Sequence, residues 1–354
     1  MFVCLSSGAK PRYRQDILRA IAMPRGALLQ FRYGLELVTE SIQGRIRKDT
    51  TRGEMVLIAY LDQSDRTEPP KFVPCRFAKM AAARIHGSTT SLTFELDSFA
   101  YVEDVKGFNS HLRTVCKDSL PFRQTADDEY AQGAFWFEVP TEGVSDVIPT
   151  YDLHNWENII GQLVRHQDFA RENCFYTIEG LYDVSANTKL EMQSGRYALK
   201  PSRDYEIKLY HFLPKKAEQL VYLHFDASPP STVLTSGRST LVADSEYDMK
   251  SIRFRTGRPT RQERAILSIF RSEQRPDPEF RTLDFDMALS IAGSWRMLLA
   301  WGIVVGLLIA GPTVLGQIAD PKVTAAKLTV VCLIQTALGL ATGILAAFKL
   351  GRGI

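Results

Sequence analysis

Residues 297–318 read MLLAWGIVVGLLIAGPTVLGQI and residues 328–348 read LTVVCLIQTALGLATGILAAF, 22 and 21 residues without one charged side chain. A bilayer's hydrocarbon core takes about 20 apolar residues as a helix, whereas buried core helices are served by shorter runs. Between the two lies ADPKVTAAK (319–327), a polar link with a Pro after an Asp. The pair reads as a helical hairpin that crosses the membrane twice and returns to its starting side.

Gly302 and Gly306 in the first run, and Gly339 and Gly343 in the second, stand four residues apart. That spacing lets helix backbones approach closely where no hydrophobic effect drives helices together. One such pair in each run points to tight packing, within the hairpin or between copies in a homo-oligomer. Gln335 lies near the middle of the second run. A mid-membrane amide needs a partner or a wet surface, so Gln335 reads as interhelical glue or as a pore-lining group. Gly311 and Pro312 are expected to kink or end the first span.

Upstream, residues 250–281 hold nine basic residues against four acidic ones. Arg253, Arg255, Arg258, Arg261, Arg264, Arg271, Arg275 and Arg281 form the expected basic collar beside the bilayer. Such a collar is drawn to anionic cytoplasmic lipid and agrees with the positive-inside rule. A solvated face with arginines paired to acids is the alternative. Thr260 and Glu263 match a capping box, so 261–274 is expected to be helical with Ala265, Ile266, Ile269 and Phe270 as its apolar stripe. Residues 283–296 (LDFDMALSIAGSWR) are expected to form an interfacial helix.

The rest of the chain has the texture of strands. Short runs such as 205–213 (YEIKLYHFL) and 219–226 (QLVYLHFD), bounded by Pro, Gly, Ser or Asp, suggest an Ig-like antiparallel sandwich over 184–258. His211 and His224 sit in neighbouring expected strands, where they are placed to pair. Toward the N-terminus, 27–38, 54–62, 72–85 and 90–102 read as strands, with Leu92, Phe94 and Leu96 alternating against polar residues. His86-Gly87-Ser88 is a hairpin turn in which Gly supplies positive φ. Residues 11–24 suggest a short helix, and 39–53 a connecting loop. Residues 150–171 are a longer helix, with Asn155 as its N-cap and His154 and His166 at the surface.

The expected fold is therefore mainly β with some α. An N-terminal β-rich domain (1–183), with a helix near 155–171, precedes the sandwich (184–258). A basic juxtamembrane helix and interfacial neck (259–296) lead to the two-span hairpin (297–354).

Charge and chemistry narrow the function. The chain carries 43 Lys+Arg against 40 Asp+Glu, a near balance that disfavours nucleic-acid binding. Five scattered cysteines show no C-x-x-C spacing, so buried thiols in a reducing compartment are expected rather than a zinc site or disulfide framework. Asp127, Asp128 and Glu129 form an acidic triplet on an expected solvated loop, a poor cation site. No nucleophile, base and orienting group assemble into a motif, so neither an enzyme nor a cofactor is expected. The N-terminal apolar run is too short for a signal-peptide core. The domains and C-terminus are thus expected in the cytoplasm, with the hairpin in the cell inner membrane.

Together these features point to a sensor–effector whose β domains bind a small ligand or protein partner and whose hairpins oligomerise to perturb the bilayer. Two-span effectors of bacterial antiviral defence share this general plan, an analogy of architecture that transfers no residue. The alternative is a passive tethered scaffold that recruits a cytosolic protein.

Overall fold

A computed structural model describes residues 1–8, 11–62, 71–116, 136–138, 147–214, 220–228, 232–234, 239–259, 261–272 and 282–294, with Ala300 and Val304 beyond them. Apart from those two helical positions, the uncharged runs lie outside the described residues, and with them Gly302, Gly306, Gln335, Gly339 and Gly343. So do Arg275, Arg281 and the acidic triplet at 127–129. Among the described residues no helix is long and apolar enough to cross a membrane.

The chain is mainly β with few helices. Its N-terminal unit begins with β1 (Phe2–Ser7), α1 (Pro11–Ala22) and β2 (Leu28–Gly34), then α2 (Glu40–Arg47) and β3 (Met55–Asp62). A long hairpin follows, β4 (Lys71–His86) and β5 (Thr89–Tyr101), then α3 (Val105–Cys116), β6 (Trp136–Glu138), β7 (Ile148–Thr150) and α4 (Leu153–Leu163). These strands make one seven-stranded sheet in the order β2-β5-β4-β3-β1-β6, with β7 also on β5. β1 and β3 run parallel and every other pair antiparallel. All six residues of β1 are buried, as a parallel strand covered on both faces requires.

On the hairpin, alternation sets the faces. Leu92, Phe94 and Leu96 are buried while Thr89, Ser91 and Thr93 look outward. Gly87 turns the chain at φ +60°, a conformation that costs a side-chain-bearing residue dearly. α1 buries Ile17, Leu18 and Ile21, and Trp156 of α4 is fully buried with its indole N–H donating to Ile21 O at 3.2 Å. Asp152, not Asn155, caps α4, its carboxylate accepting the His154 N–H at 2.9 Å.

The second unit comprises β8 (Phe175–Asp183), β9 (Thr188–Leu190), β10 (Met192–Gln193), β11 (Arg196–Leu199), β12 (Asp204–Phe212) and β13 (Val221–Ser228). It continues with β14 (Thr232–Leu234), β15 (Thr240–Ala243), β16 (Tyr247–Thr256), β17 (Glu263–Ser272) and β18 (Thr282–Ile291). One sheet runs β14-β16-β12-β8-β9 and the other β10-β11-β18-β17-β13-β15. Each turns an apolar face inward: Tyr205, Ile207 and Leu209 from β12, and Leu267, Ile269 and Met287 from β17 and β18. Tyr176 and Phe285 stack across the gap, ring centroids 6.3 Å apart and 19° from parallel. The expected sandwich is present, except that β11 and β18 pair in parallel.

Three local expectations are corrected. The segment expected to be a juxtamembrane helix, 261–274, contains β17, and the expected interfacial helix, 283–296, overlaps β18 as far as Ile291. The run from Ala265 to Ile269 satisfies a helical stripe and a two-residue alternation equally well. Pairing of β17 with β13 and β18 decides it, because Ala265, Leu267 and Ile269 then all face the core. The sheets therefore take in Phe175–Asp183 and Glu263–Ile291 as well as the expected 184–258. Residues 39–53, read as a loop, hold α2, which buries Ile42 and Ile46.

Candidate functional site

Where the N-terminal sheet meets the sandwich, a cleft of ≈ 510 Å³ opens, within the range of small-molecule sites. One wall comes from β4, β5 and the segments entering β2 and α4. The other comes from β8 to β11. The cleft exists because two glycines permit the approach. Gly26 (φ +82°) lies against Met192, and Gly195 (φ +75°), in the turn between β10 and β11, lies against Leu28.

Arg76 forms the floor. Its side chain enters from β4, 2 % exposed. Nε donates to Asp97 O at 2.8 Å, and Nη1 donates to Ala20 O at 3.2 Å and Met23 O at 3.1 Å. The last two are carbonyls at and just past the C-terminus of α1, where a cation is favoured by the helix dipole. Its guanidinium also stacks 4.2 Å from the Phe99 ring centroid. Among the described residues no carboxylate lies in ion-pair contact with it. Burial pulls the guanidinium down to about 9, so the cation persists at neutral pH.

Above it, Asp97 Oδ1 accepts from Arg25 Nε at 2.7 Å and from the Tyr151 hydroxyl at 3.0 Å. Arg25 lies over the Tyr151 ring at 4.8 Å. Burial and then the Asp97 bond hold the Tyr151 phenol above its usual range. On the facing wall Lys189 Nζ meets Glu179 Oε1 at 2.8 Å, and the Tyr182 hydroxyl bonds both Glu179 oxygens. The cleft thus presents cations and carboxylates in balance, with aromatic edges, and suits a small zwitterionic or neutral polar ligand rather than a polyanion.

Behind the cleft, a buried ionic cluster ties the units together. Arg271 of β17 donates from Nη1 to Glu172 Oε2 at 3.0 Å and to Cys174 O at 3.2 Å. Asp284 of β18 accepts from Tyr176 Oη at 2.7 Å and from Gln15 Nε2 at 3.2 Å, while its carbonyl accepts from Arg19 Nε at 2.6 Å. Burial opposes the Arg271 charge, but Asp284 and Glu172 outweigh it and hold the guanidinium above its ordinary value.

Six of the arginines of the expected collar are among the described residues. Arg271 is spent inside this cluster. Arg253 pairs with Glu206 at 3.1 Å, Arg255 lies 3.8 Å from Asp204, and Arg258 donates to Ser202 Oγ. Arg264 is exposed on β17, and Arg261 is exposed just before that strand. His211 and His224 do not pair. They sit in opposite sheets, His211 with Ser245 O at 3.0 Å and His224 with Thr240 Oγ1 at 2.8 Å. His154 is exposed as expected, whereas His166 is largely buried, its Nδ1 2.5 Å from Asp62 Oδ2. Cys4, Cys75 and Cys174 are buried thiols. Among the described residues no group of three or more His, Cys, Asp or Glu is placed to hold a metal ion.

Arg76, Asp97 and Tyr151 were not singled out by the sequence. One signal was available: Arg76 interrupts the apolar run of β4 at a position that alternation assigns to the core.

No protein-family model matches the sequence, and no curated protein does. Among solved structures, the chain is similar to WR4, a C. elegans MSP family member, at 7% identity and TM-score 0.19, covering 27% of this chain and 92% of that one. It is also similar to the class 5 fimbriae chaperone CfaA, at 12% identity and TM-score 0.20, covering 27% and 53%. A PapD-like domain of human CEP192 matches at 9% identity and TM-score 0.20, covering 28% and 80%. Likeness this low carries no argument about fold or activity; the sandwich rests on its own strand pairing.

Proposed function

We propose that the protein is a membrane-anchored sensor–effector. The inter-unit cleft takes a small polar ligand or an extended partner segment, and the hairpin at 297–354 assembles in the inner membrane to perturb it. The observation that carries this reading is the pair of uncharged runs, 22 and 21 residues long, joined by a nine-residue polar link. The cleft adds a place for a trigger, because a ligand bridging both walls has a differential affinity for one spacing of the two units. Paired glycines at 302/306 and 339/343 supply the close-packing surface for oligomers.

The test is membrane potential in cells expressing the full chain. Triggering should depolarise them, and Gln335→Leu or Gly339→Leu should abolish the effect while leaving the protein in the membrane. Persistent polarisation under every condition that loads the cleft would refute the effector role.

A passive scaffold is the second reading, favoured by the Arg271–Glu172–Asp284 cluster, which links the two units through buried ion pairs. Under it, a cytosolic protein co-purifies through the β units and depolarisation never occurs.

A further inference from the structure

The face of the β4–β5 hairpin that lines the cleft at one end continues beyond it toward the Gly87 turn, and there its composition changes. β5 sends Thr89, Ser91, Thr93, Glu95 and Asp97 outward in turn. At its lower end each acid has a basic neighbour: Glu95 stands in register with Lys79, and Asp97 holds Arg25 at 2.7 Å. Two rungs up the acids stop and the bases do not. Ser91 stands in register with Arg32 of β2 on one side and Arg84 of β4 on the other. Strand spacing of about 4.8 Å puts those two arginine backbones about 10 Å apart with a hydroxyl between them. The next rungs add Gln30 and Thr93 on one side and His86 and Thr89 on the other.

Neither Arg32 nor Arg84 is in ion-pair contact with a carboxylate among the described residues; Arg32 is bonded to Gln30 Oε1 at 3.4 Å. Glu36 folds over Gly34 and bounds the edge. A register shift between Met80 and Ala82 curves the hairpin, and the face encloses an open hollow of ≈ 680 Å³. A contrast runs along one strand: at one end Asp97 holds Arg25 and Glu95 stands in register with Lys79, and at the other two arginines flank a hydroxyl.

We infer that this face is a binding site for a small soluble polyphosphate-type anion. Two guanidiniums offer forked donors to separate phosphate groups, and Ser91 and Thr93 hydroxyls donate between them. No Phe, Tyr or Trp lines the hollow, so its guanidiniums and hydroxyls carry the recognition, and these suit phosphate oxygens. The site is separate from the cleft and does not depend on the proposed membrane activity.

The test is calorimetric titration of the detergent-solubilised full chain with inorganic tripolyphosphate. Saturable binding is expected, weakened about tenfold by Arg32→Ala or Arg84→Ala, less by Ser91→Ala, and unchanged by Lys79→Ala. Circular dichroism and melting temperature verify that each variant is folded. Undiminished binding by a folded R32A/R84A variant, equal loss in Lys79→Ala, or no saturable binding would overturn the assignment. So would affinity for a short oligothymidylate or for phosphatidylglycerol vesicles with none for tripolyphosphate.

Discussion

Arg271, on a strand of the sandwich, places its Nη1 3.0 Å from Glu172 Oε2, on the segment that leaves the N-terminal unit, with both side chains nearly buried. Removing one partner of a buried pair leaves a charge with neither water nor counterion. Arg271→Ala should therefore cost about 3–5 kcal/mol, read as a lower urea midpoint. Because the pair is sheltered, added salt should change the wild-type stability little. A cost under about 1 kcal/mol would mean that the pair behaves as a surface contact.

Arg76 makes a second kind of link, a buried guanidinium held by backbone carbonyls. Its replacement by Met keeps the bulk and strips three carbonyls of a donor, two of them at the end of α1. A loss of about 2–4 kcal/mol is expected, with amide exchange rising first in the last turn of α1. Uniform exchange with unaltered stability would show that those carbonyls find other donors.

Asp16 carries the clearest pH signature. Burial pushes its carboxyl up to about 7, with Arg19 and Arg12 opposing. Below about pH 4 the group is protonated in folded and unfolded chains alike. Between there and about 7 the folded chain holds the proton and the unfolded chain has lost it, so this group's stabilisation declines as pH rises through that window. Asp16→Asn should remove the slope and raise stability at pH 8 by about 1–3 kcal/mol. Denaturant midpoints at pH 5 and pH 8 for both proteins decide it; an unchanged slope contradicts the assignment.

The glycines that let the units meet are testable in the same way. At Gly195 a Cβ would fall 2.5 Å from Leu28 Cγ on a backbone with φ +75°. Gly195→Ala should cost about 1–3 kcal/mol, and Leu28→Ala in the same chain should recover part of it. No recovery would leave the cost to backbone strain alone.

The alternating strands were readable because one face of each is buried: Leu92, Phe94 and Leu96 declare β5 by themselves. β17 was not, since Ala265, Ile266, Ile269 and Phe270 fit a helix as well, and only strands far away in sequence choose between the two. β1 escaped for the opposite reason, a short apolar run with two serines that becomes a strand through its parallel partner β3. α2 lies in a polar stretch whose two buried isoleucines are a weak signal. Of the site, the collar arginines were visible as charge, but their partners Glu206, Asp204 and Glu172 lie 47, 51 and 99 positions away in sequence. The cleft could not be read at all, because Arg25, Arg76, Asp97 and Tyr151 converge only once the sheet has formed.

The most direct test of the account is where the full chain goes when lysed cells are fractionated. Anchoring by the runs at 297–318 and 328–348 requires it to pellet with membranes, to resist alkaline carbonate, and to be released by detergent. Recovery in the detergent-free supernatant would contradict the anchor and the sensor–effector reading built on it.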